Sequence, residues 1–157
     1  MVLSRGADYA IRAMLDVAGQ LEDKKTVTER IAMRQDVPAA FLSKVVAQLT
    51  QAGLLRTHRG AAGGVELGRA SDDINLRQIV EAVQGPVVLN LCTDPYNGCP
   101  RSATCPVFGV FDEAQKKVDA VLEGAILASL AEEAAMLTAG QKRDPGSGAS
   151  PITPASN

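Results

Sequence analysis

Residues 38–69 read PAAFLSKVVAQLTQAGLLRTHRGAAGGVELGR, and this stretch decides the fold. Its first half predicts a helix that ends at Gly53, because apolar residues recur at spacings of three and four and form one inward-facing stripe. The stripe consists of Leu42, Val45, Val46, Leu49 and Ala52. The second half predicts a β-hairpin, since two short runs flank the glycine-rich turn at 60–64. A helix followed directly by such a hairpin is typical of a winged helix.

The residues before this stretch predict two further helices. Residues 4–21 carry one apolar stripe, made of Ala7, Ile11, Met14, Leu15, Ala18 and Leu21. Thr26 and Glu29 have the spacing of a capping box, so a short second helix should run to about Arg34. After a turn at 35–37, Pro38 suits the first position of the third helix. We therefore predict a mainly α fold with a small β-hairpin wing, in which residues 1–85 form a winged helix-turn-helix domain.

The outer face of the third helix and the hairpin favour nucleic-acid binding. On the helix, Ser43, Lys44 and Gln48 offer small or hydrogen-bonding side chains that can approach base edges in a major groove. A helix face that contacts only solvent could have the same composition, so this alternative stays open. On the hairpin, a tip of little bulk is flanked by Arg56, His58 and Arg59, which suits phosphate contacts. We interpret His58, the single histidine of the chain, as a wing residue and not as a metal ligand.

Charge is divided unevenly along the chain, whose net charge is −2. Residues 1–69 hold ten Lys and Arg against seven Asp and Glu, whereas residues 70–157 hold six against eleven. The basic part suits a polyanionic partner such as double-stranded DNA. The sequence shows no signal peptide and no apolar run of membrane length, so we expect a cytoplasmic protein without a membrane partner. No nucleophile–base pair accompanies the one histidine, so we predict no catalytic residues and no enzyme.

The second half predicts dimerisation helices and a tail. Asn75 can cap a fourth helix, which should stop at Gly85 and Pro86. From residue 107 to 139 a long amphipathic helix, broken near Gly124, has little surface of its own domain to cover, so we expect it to pack on a second copy in a homodimer. Residues 140–157 are rich in Gly, Ser, Pro and Ala and predict a disordered tail.

A cysteine loop is predicted over residues 86–106. It holds Cys92, Cys99 and Cys105, which are all the cysteines of the chain, separated by six and five residues rich in turn formers. Soft sulfur ligands gathered in a loop suit a metal or an iron–sulfur cluster. Buried apolar cysteines, a reversible disulfide and zinc remain alternatives, although zinc sites usually use cysteine pairs two to four residues apart.

Taken together, these motifs resemble the Rrf-two (Rrf2) family of bacterial transcriptional regulators, which includes the iron–sulfur regulators IscR, NsrR and RirA. The resemblance covers about residues 1–137. The matching segments are YAIRAML at 9–15, FLSK at 41–44, AGLL at 52–55, RGAAGG at 59–64, IVEAVQGP at 79–86 and the three cysteines.

The resemblance implies a homodimeric repressor or activator that carries an iron–sulfur cluster and senses nitric oxide, redox state or iron–sulfur supply. Two positions depart from the family pattern. Val65 stands where many members have an aromatic, and Phe108 stands where IscR-like members have the histidine that serves a [2Fe–2S] cluster. The second departure favours an NsrR-like or RirA-like [4Fe–4S] cluster. A dimer would place two recognition helices about 34 Å apart and so prefer a near-palindromic operator.

In the NsrR-like branch a carboxylate near the start of the first helix completes the ligand set, and the residue that matches here is Asp8. This resemblance implies that Asp8 is supplied across the dimer interface. The alternative is that Asp8 pairs with Arg12, four residues on, as a surface ion pair. Two functions of other kinds stay open: a metal-free transcription factor with a thiol/disulfide switch, and an iron–sulfur electron carrier.

Overall fold

The computed structural model describes residues 3–20, 25–60 and 63–143. Three parts of the predictions fall outside these ranges: Leu21 at the end of the first predicted helix, the two alanines of the hairpin tip, and residues 144–157 of the tail. Within the described residues no helix is both long enough and apolar enough to cross a bilayer.

Helix α1 (Arg5–Gly19) lies at the centre of the fold. The Ser4 hydroxyl caps it by accepting a hydrogen bond from the Ala7 N–H at 3.1 Å. The helix is buried on more than one side, and its buried residues are Ala7, Ala10, Ala13, Met14, Asp16 and Val17. The single stripe predicted from periodicity is therefore too narrow, because helices α3, α4 and α6, whose bounds follow, all pack against α1.

Helices α2 (Thr28–Gln35) and α3 (Ala39–Gln51) form the helix-turn-helix. Asp36 makes the sharp turn between them in the left-handed region, with φ of 50°. The capping box predicted at Thr26 is wrong, since Thr26 pairs instead with Val65 of the hairpin and no side chain caps α2. Pro38 lies just before α3, not at its first position. Ala52 is exposed, unlike the four larger apolar residues of the predicted stripe.

The hairpin follows at once, with β1 (Leu55–His58) antiparallel to β2 (Gly64–Leu67) and Leu55 opposite Leu67. A Cβ atom at Gly63 would lie 2.6 Å from the carbonyl oxygen of His58, so the turn needs glycine there. Val65 is buried against the helical core, which explains why an aliphatic residue fits this position.

Three more helices follow within the described part of the chain. Helix α4 (Leu76–Gln84) begins with a capping box between Asn75 and Gln78 and ends at Gly85. Helix α5 (Phe108–Gly124) and helix α6 (Leu127–Arg143) are separated at 125–126, where the backbone pairs with residues beside Asn75. Helix α6 continues through residues 140–143, so the predicted start of the tail at residue 140 is too early.

An ion pair between a buried carboxylate and a partly exposed guanidinium joins α1 to α2. The side chain of Asp16 is 4% exposed and accepts two hydrogen bonds from Arg34, at 2.8 and 2.5 Å. Arg34 also donates to the hydroxyl of Thr26, and Gln35 donates to Asp16. The hydrogen bond to Asp16 raises the pKa of Arg34 above its ordinary value. Because Thr26 pairs with the hairpin, this cluster connects α1, α2 and the wing.

We expect Arg34→Ala to lower the free energy of unfolding by ~2 kcal/mol, because it leaves the Asp16 carboxylate buried without its charged partner. Arg12→Ala is the matched control: it removes an arginine from a half-exposed pair with Asp8 and should cost ~0.5 kcal/mol or less. Denaturant unfolding of both variants at one protein concentration measures the difference. Equal losses in the two variants would contradict the role given to Asp16.

Candidate DNA interface and cysteine loop

The outward face of α3 is made of small and polar side chains, except for one large apolar residue, Phe41. Its exposed residues are Ala39, Ala40, Phe41, Ser43, Lys44, Ala47 and Gln51. Lys44 lies near the middle of this face, where an ammonium group can reach a phosphate or a guanine edge. The Ser43 hydroxyl donates to the carbonyl oxygen of Ala39 at 3.0 Å and keeps its lone pairs for a further donor.

Gln48 lies at the edge of the same face and is half-buried. Its amide nitrogen donates to the carbonyl oxygen of Val83 at 3.3 Å, so it ties α3 to the end of α4. This hydrogen bond uses one of the two N–H donors of the Gln48 amide. The assignment of Gln48 as a base-reading residue stays a prediction.

The wing carries a carboxylate that the sequence interpretation missed. Glu66 stands directly across the hairpin from Arg56 and accepts a hydrogen bond from Nε2 of His58 at 2.7 Å. The nearest guanidinium nitrogen of Arg56 lies 3.9 Å from the same oxygen. The hydrogen bond from His58 holds the pKa of Glu66 below its ordinary value, with smaller contributions from Lys25 and Arg56. Cross-strand pairing of Arg56 with Glu66 was the signal in the sequence that could have revealed this contact.

The three basic wing residues differ in whether they face this carboxylate. Arg56 and His58 face Glu66, whereas Arg59 is exposed at the end of β1 beside the glycine turn. Arg59 is therefore the wing residue whose charge is best placed to reach a phosphate.

The cysteine loop connects α4 to α5. Cys92, Cys99 and Cys105 are all free and half-buried. The loop contains two short 3₁₀ turns, Leu91–Thr93 and Ser102–Thr104, and no longer regular element. An irregular, turn-rich segment at these residues is what the composition predicts.

The polar side chains of the loop stabilise its own turns. Asp94 accepts hydrogen bonds from the backbone of Tyr96 at 2.8 Å and from the side chain of Asn97 at 2.8 Å. These hydrogen bonds, that of Asn97 first, hold the pKa of Asp94 below its ordinary value. The Ser102 hydroxyl donates to the carbonyl oxygen of Cys99. Asp94 and Ser102, which are possible oxygen ligands by type, are thus already engaged.

The donor set fits an iron–sulfur cluster by chemistry but is not gathered by the fold. Three thiols are the soft ligands that iron–sulfur clusters require. Within the described ranges, however, no three His, Cys, Asp or Glu side chains lie close enough together to hold a metal ion. A single chain in this conformation therefore has no preformed metal site among those residues.

Asp8 lies at the surface near the start of α1. Its carboxylate is 3.0 Å from a guanidinium nitrogen of Arg12, and the two side chains are 49% and 45% exposed. The surface ion pair given above as the alternative interpretation is thus formed within one chain. Asp8 remains accessible from outside, and its role as a ligand stays a prediction.

Similarity to known proteins identifies the family of this chain. The chain matches, over residues 3–133, the family model Rrf2, described as an iron-dependent transcriptional regulator. The chain belongs to the Rrf2 family. It is 31% identical over 124 residues to the HTH-type transcriptional regulator NsrR of Halalkalibacterium halodurans, which spans 78% of this chain and 85% of that protein. This Rrf2 protein is therefore a DNA-binding transcriptional regulator and not an enzyme, as the sequence predicts.

Solved structures confirm the fold of this Rrf2 protein. CymR (YrzC), the global cysteine regulator of B. subtilis, superposes with a TM-score of 0.69 at 24% identity, over 85% of this chain and 98% of that one. IscR of T. potens gives a TM-score of 0.68 at 25% identity, over 85% and 88% of the two chains. The mainly helical architecture with a two-stranded wing is confirmed.

Arg59→Ala should weaken binding to every DNA sequence and reduce the slope of log affinity against log salt by about 1, because one phosphate contact is lost. Lys116→Ala is the control, since it also removes one positive charge but from an exposed surface position of α5. Salt titration of binding to an operator and to random DNA measures both effects. An unchanged slope in Arg59→Ala would remove the wing from the interface.

Proposed function

We propose that this protein is a cytoplasmic homodimer whose binding to DNA is controlled by an iron–sulfur cluster held by Cys92, Cys99 and Cys105. The observation that carries this proposal is the placement of the cysteine loop. All three cysteines lie in the one segment that joins the last helix of the winged domain to α5. A change in the conformation of the loop can therefore move both of the helices at its ends, α4 and α5.

On DNA, α3 would enter the major groove with Lys44 and Ser43 at its exposed face and Gln48 at its edge. Arg56, His58 and Arg59 would hold the wing against the phosphate backbone. A near-palindromic operator follows from two copies of α3 about 34 Å apart.

The surface of α5 supports a homodimer. Val107, which precedes the helix, and Val110 and Val121 within it are 51%, 67% and 71% exposed. A row of branched apolar side chains left open along a helix is the kind of surface that a second copy of the chain covers in a two-fold dimer.

Because the three thiols are not gathered in the single chain, cluster binding can change the conformation of the loop. The three thiols must move together to bind one cluster, so the loop must change conformation between the loaded and unloaded protein. A bound cluster supplies a fixed set of iron–thiolate bonds that pins three points of the loop. Residues 86–91, the part of the loop nearest α4, would transmit this change to the winged domain.

Phe108 in place of an imidazole favours a [4Fe–4S] cluster over [2Fe–2S]. Three thiolates then leave one iron for an oxygen ligand, and we assign it to Asp8 of a second copy of the chain. Exposure of Asp8 and engagement of Asp94 in its own turn support this choice. An oxygen ligand holds iron less tightly than thiolate, which would make this iron the first point of attack for nitric oxide or oxygen.

A thiol/disulfide switch is the second candidate. It is favoured by the lack of a preformed metal site among the described residues, together with three free, half-buried cysteines. Anaerobic purification separates the two: a cluster gives a brown protein with iron and sulfide, whereas a thiol switch gives a colourless protein whose DNA affinity depends on the redox buffer.

We expect Cys99→Ser to abolish the cluster and to change affinity for the operator, because two thiolates cannot retain it. Ala103→Ser is the matched control, since it places a hydroxyl at an exposed position of the same loop and removes no thiol. Iron and sulfide analysis and a gel shift on anaerobic protein measure both outcomes. Equal operator affinity in Cys99→Ser and the loaded wild type would contradict cluster control.

We expect Asp8→Ala to retain part of the cluster but to change its absorbance and speed its reaction with nitric oxide, whereas Asp8→Cys should slow that reaction. Arg12→Ala is the control, because it breaks the surface ion pair and keeps the carboxylate. Stopped-flow absorbance measures the rates. Identical spectra and rates in wild type and Asp8→Ala would exclude Asp8 as the ligand.

A further inference from the structure

Gln115 is the one buried residue of helix α5, a helix that the structure describes throughout. It is 8% exposed, and valines of the same helix are open to solvent. A buried amide is costly unless each of its hydrogen-bonding groups has a partner. Its contacts therefore show what this helix holds in place.

Every hydrogen-bonding position of the Gln115 amide is used. Its nitrogen donates to the carbonyl oxygen of Val87 at 2.7 Å and to a carboxylate oxygen of Asp119 at 2.8 Å. Its oxygen accepts from the backbone N–H of Leu89 at 2.8 Å and lies 3.1 Å from the hydroxyl oxygen of Thr93, whose single proton is shared with the carbonyl oxygen of Asn90 at 2.9 Å. Two donors and two lone pairs are all that a glutamine amide offers. The backbone partners also fix which end is oxygen, since a carbonyl needs a donor and an N–H needs an acceptor.

Three of these four partners lie in the first part of the cysteine loop. Thr93 directly follows Cys92 in the same 3₁₀ turn, and its hydroxyl also contacts the backbone of Asn90. The turn that carries Cys92 is thus tied to α5 through one side chain, whereas Cys99 and Cys105 lie beyond this attachment.

The fourth partner extends the network to the winged domain. The second carboxylate oxygen of Asp119 lies 3.6 Å from the guanidinium of Arg77 on α4. Arg77 also contacts Glu81 at 3.0 Å and Glu123 at 2.6 Å, and its pKa is raised chiefly by the hydrogen bond to Glu81. A contiguous polar path therefore runs from the turn at Cys92 through Gln115 and Asp119 to α4.

We propose that Gln115 is a positioning residue that fixes the turn carrying Cys92 on α5 and so makes the accessibility of this thiol depend on the position of that helix. The attachment itself stands on the contacts above. Its use as a regulatory link rests on the proposed function, in which the cysteine loop is the sensor. Buried polar networks whose partners are all satisfied specify one arrangement, and losing one partner leaves the others unpaired.

Alkylation of the cysteines in metal-free, reduced, full-length protein tests the attachment without requiring a cluster. Thr93→Val removes only the hydroxyl contacts and should raise the alkylation rate of Cys92 by iodoacetamide about fivefold, which corresponds to ~1 kcal/mol for one hydrogen bond. Thr93→Ser keeps the hydroxyl and should react as the wild type does. Mass spectrometry follows each cysteine separately, with Cys105 as the internal reference.

Gln115→Leu distinguishes the attachment to α5 from local capping by Asn90, because it leaves the contact between Thr93 and Asn90 intact. It should also accelerate Cys92 selectively, and the double variant Thr93→Val/Gln115→Leu should react no faster than the faster single variant. The proposal is overturned if Thr93→Val matches the wild type, if Gln115→Leu leaves Cys92 unchanged, or if all three cysteines accelerate equally. The result does not depend on DNA or iron, so it stands or fails separately from the proposed function.

Discussion

Close packing against helix α1 is the constraint on which the rest of the structure depends. Ala7, Ala10 and Ala13 are 0% exposed, and such small side chains let α3, α4 and α6 approach the same helix from different sides. The ion pair of the buried Asp16 with Arg34 then fixes α2 on α1, and the hydroxyl of Thr26 brings the wing into the same cluster. The relative positions of α2, α3 and the wing are thus fixed by packing against α1, a helix most of whose residues are buried or half-buried.

The cysteine loop is attached differently: beyond Val87, which packs in an apolar cluster with Ala7 and Val80, it is held by polar contacts. Its entry is held by Gln115, and its interior is shaped by short-range turns around Asp94 and Ser102. Segments held by few hydrogen bonds and little buried apolar surface open at lower free energy than a packed core. A stable DNA-binding domain joined to a loop that can rearrange is the combination that a ligand-controlled regulator needs.

The sequence is sufficient to predict the features that depend on local pattern. Helix α3, the hairpin around Gly63 and the irregular loop of the cysteines all follow from apolar spacing and from turn-forming residues. The capping box at Thr26 fails because backbone pairing with Val65, far along the chain, overrides the local preference. Asp16 and Gln115 were missed for a related reason: a polar residue in a helix is ordinarily exposed, and most of the partners that make burial possible lie 18 or more residues away.

The central claim is that the state of the cysteine loop controls binding to DNA. Its most direct test is the operator affinity of one anaerobic preparation, measured at fixed salt before and after iron is removed with a chelator under reducing conditions. The account predicts about four iron and four sulfide per chain at the start. It also predicts a change of about tenfold or more in affinity on removal, the usual size of coupling between two sites. Protein that contains no iron, or an affinity that stays the same when iron is lost, would contradict it.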